Sequence, residues 1–366
     1  MRKKLIVAFL FLVSTILSGC TGGGSMDEDA ESHLSETNTQ SETGENISLT
    51  SEIRSLDDGL SAVRYDGDYQ FDLFLEQGAA SDGDVVSFLA ENLLSGLDLG
   101  DIVGNIFGCS TLSAVNASGE HLFGRNFDWE NCEAMIVETH PQNGYASIST
   151  VNMDFITQSL SGTAKAVLKL DEVKTLTAIY APLDGMNEKG LAVSVNMIQD
   201  SADISQDKDK TDITTTTAVR LLLDQAASVE EALELLEAYD LHGSMGMMIH
   251  FALSDSTGRS VVVEYVENEM IVIETPVVTN FYLAEGEKYG IGTQQSHERY
   301  EILMNTLKEK EILEMEDMRD ALDSVSKDNF EEYASTEWSI VFNLSTGEAR
   351  YYHRENYRQA YSIRLK

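Results

Sequence analysis

Basic residues are scarce in this 366-residue chain: 25 Lys and Arg stand against 62 Asp and Glu, a net charge of −37. That balance excludes nucleic acid as a partner, because phosphates are bound through Lys and Arg. Docking on anionic lipid by charge is excluded for the same reason. The excess acid is spread along the chain and fits a soluble extracellular surface. Cysteine is nearly absent as well. Only Cys20, Cys109 and Cys132 occur, a poor basis for the disulfide framework of a secreted chain. A bridge between Cys109 and Cys132 would disable Cys109. No His/Cys cluster has zinc-ligand spacing, and no Gly-rich phosphate loop carries its lysine. Neither a metal nor a cofactor is implied, and no internal repeat is present.

The length allows one large domain or two ordinary ones. Residues 1–20 read as a secretory signal: Arg2, Lys3 and Lys4, then an apolar run to Leu17, then small residues. The run is short for a transmembrane span. Leu17-Ser18-Gly19-Cys20 resembles the bacterial lipoprotein box. That resemblance implies acylation of Cys20 and a chain anchored by lipid on the outer side of the cell membrane. Residues 21–60 are rich in Ser, Thr, Gly, Asn and acids, with Arg54 the single base. Such a segment buries too little to offset its ordering entropy, which predicts a disordered acidic tether.

Between 61 and 108 apolar residues recur at helical spacing, as in Val85, Val86, Phe88 and Leu89. This predicts a helical pro-segment, its last helix running from Asp101 to Phe107 into Gly108-Cys109. After Cys109 the texture becomes strand-like at Thr111–Asn116, His121–Trp129, Met135–Thr139 and Ala146–Ile156. Leu176–Tyr180 and Leu191–Ile198 read as strands bracketing the turn from Asp184 to Gly190. Helices are expected at Ala218–Asp224, from Ser228 with Glu231 completing a capping box, and at Glu298–Lys308 and Glu316–Ser324. A meander over 247–275 and a hairpin of Ser339–Leu344 with Ala349–His353 complete the pattern. Strands grouped with strands and helices in pairs indicate α+β rather than alternating βαβ, with a catalytic domain over 109–366.

The chemistry centres on Gly108-Cys109. A thiol acts as a nucleophile through its thiolate, which a nearby Arg125 would favour. Were the chain cut between Gly108 and Cys109, the new α-amine could carry the proton in transit, with Asp128 orienting it. Amide hydrolysis also needs donors for the developing oxyanion, which Asn side chains can supply. The competing account is a small buried cysteine beside a structural Arg/Asp pair.

Cys109-Ser110-Thr111, Gly124-Arg125-Asn126-Phe127-Asp128-Trp129 and Gly185-Met186-Asn187-Glu188-Lys189-Gly190-Leu191-Ala192 together resemble the N-terminal-nucleophile hydrolases. Among these are the choloylglycine (bile salt) hydrolases, the penicillin V acylases and the isopenicillin-N acyltransferase-like linear amide hydrolases. The resemblance covers about 109 to 353. It implies a four-layer αββα sandwich and an autoprocessing cysteine amidase acting on a small N-acyl amide, with acyl transfer to an amine as the alternative. A non-catalytic binding lipoprotein is the further alternative. By the same resemblance Cys109 is the nucleophile, Arg125 and Asp128 support it, and Asn196 serves the oxyanion. Asn280 and Arg299 complete the set. An internal Gly-Cys junction matches the acyltransferase-like members, since bile salt hydrolases usually expose their cysteine by losing an initiator methionine. The pro-segment is expected to stay bound after the cut, because its apolar residues need a partner surface.

Three histidines, His121, His140 and His250, sit singly on strand-like runs and read as satisfied structural residues. Met245-Gly246-Met247-Met248 reads more readily as ordinary core than as a pocket wall. Cys132 carries no assigned role.

Overall fold

The structure is a computed structural model, and it describes residues 42–93, 108–157, 170–327 and 335–365. Cys20 and the expected helix at 101–107 lie outside the described residues. The N-terminal part forms β1 (Thr43–Asn46), β2 (Arg54–Asp57) and β3 (Leu60–Asp66), then helices α1 (Phe71–Gln77) and α2 (Asp82–Phe88). From Gly108 come β4 (Gly108–Val115), β5 (His121–Trp129), β6 (Ala134–His140) and β7 (Ser147–Asn152). Helices α3 (Met153–Thr157) and α4 (Asp171–Ile179) precede the hairpin of β8 (Asp184–Asn187) and β9 (Ala192–Met197). A short parallel pair, β10 (Asp212–Thr214) and β11 (Asp240–His242), brackets α5 (Thr215–Gln225) and α6 (Val229–Ala238). Next is the meander β12 (Ile249–Ser254), β13 (Ser260–Val266) and β14 (Glu269–Glu274), ending at β15 (Val277–Val278). Helices α7 (Gln294–Glu309) and α8 (Met315–Asp323) and strands β16 (Ser335–Asn343), β17 (Glu348–His353) and β18 (Gln359–Arg364) close the chain.

Among the described residues the strands build two large sheets. One has seven strands in the order β1-β18-β17-β16-β5-β4-β15, the other nine in the order β14-β13-β12-β9-β8-β7-β6-β3-β2. Helix α5 packs on β8 and β9 of the larger sheet, while α7 and α8 pack on β4, β5, β15 and β16 of the smaller. The α+β class and the αββα layering are as the sequence indicates. Close packing is visible at Gly185, where a Cβ would lie 2.7 Å from Leu223 Cδ1 on α5 and 2.6 Å from the Ile148 carbonyl oxygen. Only glycine lets the helix sit that low on the sheet.

Strand periodicity decides what faces the site. Successive side chains on β5 point to opposite faces. Phe123 and Phe127 join the core between the sheets, with Cys109 from β4, whereas Leu122 joins Leu112 in a second core under α7 and α8. Gly124 lies against Met318 and Leu322 of α8. Arg125 and Asp128, an odd number of residues apart, therefore leave β5 on opposite faces.

Several expectations need correction. The tether does not extend to residue 60: β1 pairs in parallel with β18, and β2 forms a hairpin with β3. These strands take their hydrogen bonds from an existing sheet edge, so they need few apolar residues of their own. Ile47, Leu60, Ala62 and Val63 are buried in the core, and Leu49, Ile53 and Leu56 pack against it. The pro-segment is not wholly helical, since β3 pairs in parallel with β6 over its whole length. Residues 43–93 thus belong to the same folded unit as the catalytic part. Leu176–Tyr180 is mostly the end of helix α4 rather than a strand. Its β-branched residues are tolerated because Thr175 and Thr177 hydroxyls donate to the Asp171 and Val173 carbonyls, each at 2.7 Å. The strand expected to reach Ile156 stops at Asn152, whose Oδ1 accepts from Asp154 N and opens α3. Asp184 to Met186, expected as turn, is strand β8. The capping box at Ser228 is half formed: its Oγ accepts from Glu231 N, but the Glu231 carboxylate accepts from Ala227 N.

Candidate active site

Cys109 stands second on β4, opposite Phe127 on β5, with its thiol in the apolar space between the sheets. Arg125 is fully buried there. Its guanidinium spans from one sheet to the other. Nη1 donates to the Leu183 carbonyl and to Ser194 Oγ, both at 2.7 Å, and Nη2 donates to the Val195 carbonyl at 3.2 Å and to Cys109 Sγ at 3.6 Å. Asp184 supplies the counter-charge, 3.1 Å from Nη1 and fully buried itself. The Trp338 indole N–H donates to the same carboxylate oxygen, Oδ2, at 3.0 Å. Burial raises the Asp184 carboxyl above its ordinary range, with Arg125 pulling the other way. A cation is thus fixed beside the sulfur by partners on two sheets, which leaves it no alternative position.

The backbone nitrogen of Cys109 is controlled from elsewhere. It donates to Asn280 Oδ1 at 2.8 Å. Asn280 Oδ1 also accepts from Arg299 Nη2 at 2.7 Å, and its Nδ2 donates to the Met197 carbonyl at 2.7 Å. Arg299, on the buried face of α7, donates through Nη1 to Asp128 Oδ2 at 2.8 Å. Thr336 Oγ1 donates to Asp128 Oδ1 at 2.7 Å, and Lys327 Nζ lies 3.8 Å from Oδ2. So Asp128 reaches the Cys109 nitrogen by a relay, Asp128 to Arg299 to Asn280. Strand parity is the physical reason, because Arg125 and Asp128 face opposite layers.

Asn196 is buried on β9. Its Oδ1 accepts from Ser194 Oγ at 2.8 Å, and its Nδ2 makes only a long 3.4 Å bond to the Val278 carbonyl. A loosely held N–H of this kind is available to a developing oxyanion. The segment carrying Asn280 is pinned by His250, read from sequence as structural, together with Glu264, which sequence reasoning did not weigh. His250 Nε2 donates to the Thr279 carbonyl at 2.8 Å, and Nδ1 lies 3.1 Å from Glu264. Glu264 also accepts from Leu283 N and Ala284 N, each at 2.8 Å. Burial raises the Glu264 carboxyl, but His250 and these N–H groups outweigh it and hold it below the usual value. His250 is structural, as expected, and its structural task is to place Asn280.

In the intact chain burial pushes the Cys109 thiol up, and Arg125 and then Arg299 only partly offset it. Arg125 favours the thiolate, as expected, but does not outweigh burial while Cys109 is enclosed. Beside the sulfur is a cavity of about 30 Å³, walled by Phe127, Trp129, Phe155, Leu183, Met245 and Met247 among others. Met245 and Met247 are thus pocket wall, which corrects their reading as ordinary core. Cys132 is a free, buried thiol and lies outside this lining.

All six residues singled out by sequence, Cys109, Arg125, Asp128, Asn196, Asn280 and Arg299, converge on this one site. A model of the linear amide C-N hydrolases, choloylglycine hydrolase family, matches residues 109–320. The chain belongs to that family. The match opens on Cys109 itself. A bile salt hydrolase/transferase of Clostridium perfringens (strain 13 / Type A) is 28% identical over 180 residues, covering 46% of this chain and 51% of that protein. The chain therefore spans about half the length of the curated relative it matches. Two crystal structures of conjugated bile acid hydrolase from Clostridium perfringens share the fold. A mutant form gives a TM-score of 0.52 at 21% identity, and a variant form 0.50 at 19%, each covering 70% of this chain and 92% of the other. At those identities the likeness is one of fold. Asp184, Ser194, Lys327 and the His250–Glu264 pair were not singled out as site residues. Asp184 stood in the quoted turn motif; the others carry no sequence signal, because only the folded sheets bring them near Cys109.

Proposed function

We propose that this chain is an autoprocessing cysteine amidase that hydrolyses linear N-acyl amides through an acyl-thioester on Cys109. The observation that carries the reading is the double constraint on one residue: Arg125 beside its sulfur and Asn280 on its nitrogen. In the processing step Sγ attacks the Gly108 carbonyl carbon. The peptide C–N bond then breaks, with the proton going to nitrogen. Water next cleaves the thioester, leaving a Gly108 carboxylate and a free Cys109 α-amine. In turnover that amine takes the thiol proton and the sulfur attacks the substrate carbonyl, whose oxyanion is met by Asn196 Nδ2. The leaving amine departs with the proton. Water releases the acid and restores the thiol.

The segment before the cut stays attached in this reading. Its support is the pairing of β1 with β18 and of β3 with β6. Phe71, Phe74 and Phe88 also pack around Tyr180, with ring centroids 5.4–5.9 Å apart. Each buried ring contributes roughly 1.5–3 kcal/mol. Lipid anchoring through Cys20 is part of the same proposal and would hold the assembled enzyme on the outer face of the membrane. Intact-mass measurement of purified protein tests the core of it. A fragment beginning at Cys109, co-eluting with the preceding piece and lost in Cys109→Ala together with amidase activity, is the expected result. Active protein with the Gly108–Cys109 bond unbroken would overturn it.

A further inference from the structure

The wall of the cavity beside Cys109 is partly held by a residue from the other side of the Gly108–Cys109 bond. Met245 sits at φ 58°, ψ 20°, a left-handed conformation that side chains other than Gly, Asn and Asp seldom adopt. It is followed by Gly246, also at positive φ. Ser244 is tied to α5, its N–H donating to Thr215 Oγ1 at 3.2 Å and its Oγ accepting from Thr216 N at 3.4 Å, and two further bonds hold the turn itself. Met247 N donates to the Ser244 carbonyl at 3.1 Å, and Met245 N donates to Asp82 Oδ2 at 2.6 Å. Asp82 opens α2, in the segment that precedes the cut. Ser244, Met245 and Met247 all line the cavity. The bond to Asp82 is charge-assisted and short, which is the stronger kind.

We propose that Asp82 is a positioning residue for substrate selection: it fixes the left-handed Met245 turn that walls the acyl pocket, so the segment before the cut shapes specificity. This rests on the amidase reading above. The pocket it shapes is lined mainly by aromatic and aliphatic side chains, and at about 30 Å³ in the enclosed chain it receives an apolar acyl chain or ring only as its methionine wall re-packs. Methionine side chains can re-pack around acyl groups of different length, provided their backbone is held. Without Asp82 the Met245 turn relaxes toward negative φ, and the two methionines leave the wall.

The test uses the processed protein with a series of p-nitroanilides of saturated acids from acetyl to decanoyl. Asp82→Ala is expected to raise KM for the long-acyl members roughly tenfold, the loss of one charge-assisted bond, with kcat and the acetyl substrate little changed. Asp82→Asn keeps an acceptor oxygen without the charge and should lie much closer to the parent than to Asp82→Ala. In parallel, hydrogen exchange at the Met245 amide should accelerate in Asp82→Ala and remain slow in Asp82→Asn. A KM change equal at every chain length, or no change, would overturn the selection claim. Unchanged exchange would overturn the positioning claim. Should the processed parent cleave no member of the series, the amidase reading fails, and exchange alone then decides the role of Asp82.

Discussion

Replacing Asn280 with Ala removes one atom that two donors share. Asn280 Oδ1 accepts both the Cys109 N–H and Arg299 Nη2, and Nδ2 satisfies the Met197 carbonyl. All lie in a buried site. Losing the acceptor for the backbone N–H should cost about 1–3 kcal/mol, as an unsatisfied buried donor does. The guanidinium keeps Asp128, so it loses one bond of its two. If the N–H term falls on the transition state, the proposed self-cleavage slows by roughly five- to 150-fold, at 1.36 kcal/mol per tenfold. The remainder appears as lost stability. Asn280→Asp separates these effects: it keeps both acceptor functions and strengthens the Arg299 contact, but turns an oxygen toward the Met197 carbonyl. It should therefore cleave faster than Asn280→Ala while melting no higher. Time courses of fragment release by intact mass, with thermal melts on the same samples, give both readouts. An Asn280→Ala protein that cleaves at the parent rate would show that the nitrogen of Cys109 needs no side-chain acceptor, and the relay from Asp128 would lose its purpose.

Two further outcomes follow from the buried charges. Asp184→Asn leaves Arg125 without its counter-charge in a fully buried position, so it should cost about 3–5 kcal/mol of stability; an unchanged melting temperature would mean that Arg125 is neutralised elsewhere. The Cys109 thiol in the intact chain is raised by burial, so the unfolded chain loses that proton at lower pH than the folded one. Stability from this group is complete below the ordinary thiol range and is lost as pH rises through the folded value. Urea melts from neutral to alkaline pH should show this downward slope, reduced in intact Cys109→Ser. A slope unaffected by the substitution would place the titration elsewhere, Cys132 included.

Much of the site was legible because its chemistry is encoded locally. Gly108-Cys109 and the Arg125-to-Asp128 run carry the residue types that the proposed thiol chemistry requires, whereas Asn196, Asn280 and Arg299 were reached only through the family resemblance. Most of the strands were legible too, from period-two alternation bounded by turns. The errors fall where a segment borrows its stability from a neighbour. Residues 43–57 look disordered in isolation, yet add to edges offered by β18 and β3. Residues 176–179 carry strand-like composition, yet close a helix whose threonines satisfy themselves on the preceding turn.

By itself the sequence determined the α+β class and marked Cys109 and Arg125 as a candidate nucleophile and cation, because these follow from residue type and spacing. Tertiary structure alone decided who touches whom. Strand parity sends Arg125 into the space between the sheets and Asp128 to the helix layer, so that Asn280 rather than Asp128 meets the Cys109 nitrogen. The packing of residues distant in the chain brings Asp82 to the pocket wall. Spacing along a chain fixes which face a side chain takes; only the closing of two sheets on each other fixes what lies opposite.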